Sequence, residues 1–296
     1  VPSGATGGAV FASPATRRRA FELGIPLQFV PGTGPGGRVT GDDLDAYVAG
    51  GGGAVGGDSR YAVREAVSDE NIIGLRRKIA EKMQEAKRRI PHIAYVEEID
   101  VTQVEALRRD LNEHRQADQP KLTLLPFLMR ALVRVLPDFP QINARYDDEA
   151  GVLHRHDGIH IGIATQTPGG LMVPVVTHAE SHDLWSLASE VARVSTAARD
   201  GAARREELSG STITITSLGP LGGVVSTPVV NHPEVAIIGP NKIVERPVVE
   251  GSFISVRKMM NLSSSFDHRI VDGYDAALFV QRLKRLLEHP ALIFMD

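Results

Sequence analysis

Cysteine is absent from all 296 residues. That excludes disulfides, thiolate metal sites and a cysteine nucleophile, and it fits a reducing compartment. No apolar run reaches the roughly 18 residues that a bilayer crossing needs. The first residues, VPSGATGGAV, carry no basic patch ahead of an apolar stretch, so they do not read as a secretory signal. They read as the middle of a linker, and a longer protein is expected around them. The net charge is -3, so no overall basic field argues for nucleic acid. No internal repeat is visible. What is present, 42% hydrophobic and 23% charged residues, is an ordinary globular balance. The length suits one large domain, or one large and one small domain.

Glycine marks the boundaries. Residues 1–10 and the stretch AGGGGAVGG are rich in glycine and alanine, bury little apolar surface and read as tethers. The expected organisation is a linker over 1–10, a mini-domain over 11–48, a flexible linker over 49–71 and a large domain over 72–296. In the mini-domain, Ser13 and Pro14 predict a helix start, and Gly24 its end. A second short helix is expected from Thr40 or Asp42, carrying Leu44 and Val48 inward. The large domain mixes element types. Leu75, Ile79, Met83 and Ala86 recur at helical spacing, as do Leu184, Leu187, Ala188, Val191 and Val194 behind a predicted Asp183 cap. Residues 92–100, 159–165, 171–177, 211–217, 234–239 and 252–266 read as strands. A last helix follows Asp272, with Ala276, Phe279, Val280, Leu283, Leu286 and Leu287 on one face.

The strand over 252–266 alternates. Ile254, Val256, Met260, Leu262 and Phe266 are expected to face a core, and Ser255, Arg257, Asn261, Ser263 and Ser265 to line a channel. It ends in SSFDHRIVDG, with His268 four residues before Asp272. Two readings stand. Asp272 is an N-cap and His268 a hydrogen-bonded loop histidine. Alternatively, neutral His268 is a general base, since histidine titrates near working pH, and Asp272 holds the local geometry.

DHRIVDG resembles the DHRxxDG signature of the dihydrolipoamide acyltransferases, the E2 components of 2-oxo acid dehydrogenase complexes. A shorter HxxxDG pattern is shared with chloramphenicol acetyltransferase. The stretches PHIAYVEEIDVT, FPQINARYDDE, GLMVPVV, ELSGSTITITSLGPLGG, STPVVNHPEVAIIG and MMNLSSSFDHR follow in the family's order, so the resemblance covers about residues 72–296. It is closest to the branched-chain 2-oxo acid dehydrogenase E2. The resemblance implies an α/β, chloramphenicol-acetyltransferase-like catalytic domain with a mixed sheet and helices. It implies acyl transfer, of a branched-chain group, between lipoamide and coenzyme A. The family's hydroxyl donor matches Thr216, with Ser217 as the local rival, while threonine as a mere strand former is the plain alternative. His268 would take the thiol's proton, and Thr216 would donate to the oxyanion. By the same resemblance the two residues meet from neighbouring subunits of a homotrimer, and trimers build a 24-mer or a 60-mer. The chain contains no DKA-type lipoyl-lysine segment, so lipoate is expected from outside it. No metal is expected.

The mini-domain resembles the peripheral subunit-binding domain of the same family, a small helical unit that holds E1 or E3. Arg17 and Arg38 match positions of its basic patch, and Arg18 and Arg19 lie beside it. A third basic position is Phe21 here. A solvated helix face is the plain alternative for the arginines. Gly32, Gly34 and Gly37 match GxGxxG, but a short helix precedes them and the unit is too small for dinucleotide binding.

Elsewhere, the basic residues of the helix over 75–89 read as a solvated face with Glu81 and Glu85, or as an attraction for coenzyme A phosphates. His154, His156 and His160 fit no metal spacing and are expected at the surface, and Trp185 is expected to pack. Two other functions remain open: a free-standing CoA-dependent acyltransferase acting on a small molecule, and a scaffold with a dead site. No nucleic acid or membrane partner is expected. The expected compartment is the cytoplasm, or the mitochondrial matrix in a eukaryote.

Overall fold

Serine ahead of proline starts the first helix as its chemistry predicts. In the computed structural model, which describes residues 10–50 and 66–295, α1 (Pro14–Glu22) is capped by the Ser13 side chain, which accepts from the Thr16 N–H at 3.1 Å. Gly24, at φ +66°, turns the chain away after it. Helix α2 (Gly41–Ala49) opens on a capping box: Thr40 Oγ1 accepts from the Asp43 N–H at 3.3 Å, and Asp43 accepts from the Thr40 N–H at 2.9 Å. Asp43 also accepts from the Thr33 N–H and hydroxyl at 3.0 and 2.6 Å, tying the intervening loop to the helix. These donors hold its carboxyl well below the usual range.

The glycines between the helices serve that loop. A Cβ on Gly34 would stand 2.8 Å from the Arg38 carbonyl, one on Gly32 would collide with the Gly37 carbonyl, and Gly37 itself has φ +76°. Ala20, Val30, Val39 and Leu44 form the core, with Ile25, Leu27 and Tyr47 packed against it. Val48, expected to point inward, is 46% exposed; Tyr47 packs in its place.

The chain divides into two compact units, Val1–Glu70 and Asn71–Asp296. The two stretches read as linkers fall mostly on residues 1–9 and 51–65, outside the described residues. In the second unit, α3 (Gly74–Arg89) leads into β1 (His92–Asp100), followed by α4 (Thr102–Glu113) and α5 (Leu124–Val135). A separate two-stranded sheet pairs β2 (Ala144–Asp147) with β3 (Val152–Arg155). Then come β4 (Ile161–Thr167), β5 (Gly170–Met172), β6 (Val175–Val176), α6 (Leu184–Arg199) and β7 (Ile213–Thr216). β8 (Ala236–Glu250), β9 (Phe253–Asp267) and α7 (Gly273–Glu288) close the unit.

The main sheet is mixed, in the order β1-β9-β8-β7-β4-β5, with β6 also on β4. β7 runs parallel to both β4 and β8; β9 is antiparallel to β8 and β1. Phe127 and Leu132 of α5, Leu187 of α6 and Phe279 and Leu283 of α7 bury against Ile161, Ile213, Ile238, Leu262 and Phe266 of the sheet. Asp183 caps α6 as its spacing predicts, accepting from the Ser186 N–H at 2.7 Å. A mixed sheet with helices, preceded by a small helical unit, is the class that the sequence predicts.

Two features of the long hairpin depart from expectation. β8 runs to Glu250, not to residue 239, and pairs with β9 beyond a register shift between Pro240 and Ile243. Its outer end leaves the helices behind. Ile254 and Val256, expected on the core face, are 74% and 68% exposed, whereas Met260, Leu262 and Phe266 are buried. On the other face, Ser263 and Ser265 are buried within the unit rather than open to a channel.

Leu44 is fully buried in a core of four such side chains. Leu44→Ala is expected to cost about 2–5 kcal/mol, more than so small a unit holds in reserve. Calorimetry of the whole chain should lose the transition of the first unit and keep that of the second.

Candidate active site

The corner between β9 and α7 is fixed on all sides by backbone and charge. Asp267, the last strand residue, gives its N–H to the Val235 carbonyl at 2.9 Å, and its own carbonyl accepts from Ile270 and Val271 at 3.0 and 2.9 Å. The His268 N–H donates to the Pro91 carbonyl at 3.1 Å. The Asp267 carboxylate is 1% exposed and grips Arg269, which donates from Nε and from its terminal nitrogen at 3.0 and 2.6 Å. With both neighbours and its own peptide held, His268 projects its ring outward, 45% exposed. Its Nδ1 stands 4.0 Å from Asp272 Oδ1. Asp272 occupies the N-cap position of α7, yet its side chain makes no capping bond. Its carboxylate is free to act on the imidazole.

Thr216 ends β7, half-buried, and its hydroxyl makes no hydrogen bond among the described residues. Its surroundings are polar and tight. A Cβ on Gly239 would lie 2.9 Å from the Ser263 carbonyl and 3.5 Å from the Thr216 methyl. Next to it the Ser263 hydroxyl donates to Asn241 Oδ1 at 2.6 Å and accepts from the Ser226 N–H at 3.1 Å. Ser217, the rival donor, is exposed, and its hydroxyl oxygen accepts from the Gly219 N–H at 3.2 Å.

One chain does not bring Thr216 and His268 together. Thr214, Ile237 and Ser265 lie side by side across β7, β8 and β9. From that line Thr216 is two residues along in one direction and His268 three in the other. At about 3.3 Å per residue they stand some 16 Å apart along the strands and two strands apart across the sheet.

In the first unit, Arg17, Arg18 and Arg38 are all exposed. The backbone bridge between Ala12 and Val39 brings Arg38 beside the start of α1. Arg17 donates to the Val10 carbonyl, while Arg19 is committed to Asp45 at 2.6 Å. Phe21, one turn after Arg17, is 88% exposed. The histidines expected at the surface divide. His154 is exposed, but His156 and His160 are half-buried, and burial pulls both below the usual imidazole range. His160 accepts from the His178 N–H at 3.1 Å, and the two rings meet edge to face. Trp185 packs against the core. On α3, Arg77 and Arg89 pair with Glu81 and Glu85 at 2.9 and 3.0 Å. Among the described residues no three metal-ligating side chains converge, and no helix is long and apolar enough to cross a membrane.

Sequence reasoning missed Glu234. It lies two residues before β8, fully buried, where Oε1 accepts from Asn231 and Thr214 at 2.6 and 2.9 Å and from the Ser211 hydroxyl; Oε2 has no partner. Burial pushes its carboxyl above the usual range, against the pull of those donors and of Lys82. The readable signal was an acid set against the apolar run VAII.

Residues 64–295 match the model of the 2-oxoacid dehydrogenases acyltransferase (catalytic domain) family, and residues 10–45 that of the E3-binding domain. The lipoamide acyltransferase component of the branched-chain alpha-keto acid dehydrogenase complex of Pseudomonas aeruginosa is 65% identical over 96% of this chain and 67% of its own length. Among solved structures, the Azotobacter vinelandii dihydrolipoamide acetyltransferase superposes with a TM-score of 0.74 at 34% identity, over 78% of this chain and 95% of that one. It was studied for the role of a serine, a histidine and, four residues after the histidine, an asparagine in its mechanism. The cubic core of the pyruvate dehydrogenase multienzyme complex superposes at 0.72 and 34%, over 80% and 96% of the two chains.

Because the folded carboxyl of Glu234 titrates above its unfolded value, the folded state binds the extra proton. Glu234 therefore contributes stability that is present below the unfolded value and lost as pH rises through the folded one. Glu234→Gln should remove that slope, leaving a melting temperature that varies less with pH above the ordinary carboxylate range than in the wild type. An unchanged slope would show that the carboxyl titrates normally.

Proposed function

The chain belongs to the family of 2-oxoacid dehydrogenase acyltransferases, and from that premise we propose that it transfers a branched-chain acyl group between lipoamide and coenzyme A and builds the oligomeric core of its complex. The likeness to the branched-chain component of Pseudomonas aeruginosa supports the acyl class, and the likeness to a cubic core supports the assembly. The observation that carries the chemistry is the fixed corner at His268, whose ring faces outward with Asp272 beside it.

The reaction exchanges one thioester for another. Neutral His268 takes the proton of the attacking thiol, from coenzyme A or dihydrolipoamide. The thiolate adds to the thioester carbonyl, and the negative charge moves to oxygen. Thr216 donates its hydroxyl hydrogen to that oxyanion. Collapse expels the other thiolate, which takes the proton back from the imidazolium. Asp272 orients the ring. Because Thr216 and His268 are distant in one chain, they serve a common substrate when the donor comes from a neighbouring copy, as in a homotrimer. The spacing of histidine and asparagine in the Azotobacter vinelandii enzyme equals that of His268 and Asp272. Lipoate and coenzyme A act as substrates, and the bacterial relative accords with work in the cytoplasm.

The first unit docks E3, or E1, through Arg17, Arg18 and Arg38. Arg19, paired with Asp45, is the least available of the helix arginines.

His268→Ala should lower the turnover number by about 10²–10⁴-fold with the particle intact by light scattering; a loss under about tenfold would rule out the base. Thr216→Val should cost about 2.7–4 kcal/mol of barrier, and an unchanged turnover number would move the donor's role to Ser217 or a backbone amide. Binding of E3 to the whole chain should weaken as salt rises, and the double substitution of Arg18 and Arg38 by alanine should flatten that dependence. Salt-independent binding would contradict the basic patch.

A further inference from the structure

A closed ring of interactions surrounds the backbone of His268, and its members come from four separate parts of the second unit. Asp148, in the turn between β2 and β3, is the hub. Both of its carboxylate oxygens accept from Arg89 at 3.3 Å. Arg269 reaches it at 3.5 Å, and His232 lies at the same distance. Arg269 also holds Asp267, and its guanidinium lies over the Tyr146 ring, 4.8 Å from the centroid. Arg89 is the last residue of α3, and two residues later the Pro91 carbonyl accepts the His268 N–H. The circuit therefore runs from His268 through Arg269, Asp148 and Arg89 to Pro91 and back to His268.

Stability alone is a poor reason for such a ring. Ionised groups shielded from water lose hydration that mutual attraction only partly returns, and apolar replacements often do as well or better. What a planar, forked guanidinium between two carboxylates supplies is geometry. The Asp148 side chain is 17% exposed and the Arg269 side chain 28%. Burial raises the Asp148 carboxyl, but Arg89 and His232 outweigh it and hold it below the usual range, so the hub stays charged.

We propose that Asp148 and Arg269 are positioning residues for acyl transfer: with Arg89 they clamp the peptide on both sides of His268 and so fix the direction of the imidazole toward the thiol. They touch no reacting atom. The proposal rests on the reading of His268 as base. A displacement of about 1 Å in such a group is enough to cost on the order of 10²-fold in rate.

The test compares Asp148→Asn, Arg269→Lys, their double variant and His268→Ala in the assembled protein, with light scattering to confirm the particle. The expected result is a turnover number lowered about ten- to a hundredfold by each single change, with KM for both thiol and thioester within about threefold. The double variant should fall no further than about threefold below the weaker single, because both act through one ring. Lysine at 269 keeps the charge and loses the fork, so it should not rescue. If Asp148→Asn does not assemble, Arg269→Lys carries the same comparison. Single variants within about twofold of the wild-type turnover number, beside an inactive His268→Ala, would overturn the clamp and leave the base standing. So would losses confined to KM, or losses that multiply in the double variant. An active His268→Ala would overturn the base first, and the clamp with it.

Discussion

The pair between buried Asp267 and Arg269 is the constraint on which the rest of the site depends. It straddles His268, so in the run Asp267–Arg269 only the imidazole points outward, with Asp272 4.0 Å from its Nδ1. β9 brings the corner to the end of the sheet, Pro91 just ahead of β1 receives the His268 N–H, and the loop before β8 receives the Asp267 N–H through Val235. Without the sheet order that sets β9 between β1 and β8, neither acceptor would be in place. Fold and chemistry meet in those few bonds.

The same sheet order divides the chemistry. β9 runs antiparallel to β8, and β8 parallel to β7, so residues that end β9 and residues that end β7 lie at opposite ends of the strands. On the proposed roles of His268 and Thr216, a base at one end and a hydroxyl donor at the other would suit thiol carriers that approach from two directions, with a second copy supplying the missing half. Oligomer formation would then be a condition of catalysis rather than an addition to it. The exposed apolar end of the β8–β9 hairpin, with Val249, Phe253, Ile254 and Val256, shows that one chain does not satisfy all of its own apolar surface.

Much of this was legible from residue order. Periodicity located α3, α6 and α7, Asp183 declared its cap, and the alternation of β9 was visible along its length. The failures have physical causes. α5 went unread although Leu124–Val135 has a clear apolar side, with Arg130 and Arg134 one turn apart on the other; Pro126 in its first turn disguised the start. β8 appeared short because Pro240 and Pro247 interrupt it, yet proline is tolerated where a strand bulges or runs out to an edge. The outward turn of Ile254 and Val256 depends on where the helices end, which alternation does not encode. Val48 and Tyr47 differ by one position in a two-turn helix, too little for spacing to decide.

His268, Asp272 and Thr216 were named from sequence motifs, whereas Asp148, Arg89 and Glu234 were not. Arg89 and Arg269 meet Asp148 across 59 and 121 positions of sequence, and nothing in FPQINARYDDE distinguishes its second Asp from the first. Contacts over such separations exist only once the sheet has formed. The most direct measurement of the central claim, a site completed by two copies, is co-assembly of His268→Ala chains with Thr216→Val chains. Random mixing in a trimer leaves about a quarter of the interfaces with both wild-type residues. Activity recovered toward that fraction in mixed particles is predicted; mixed particles as inactive as either parent would contradict it.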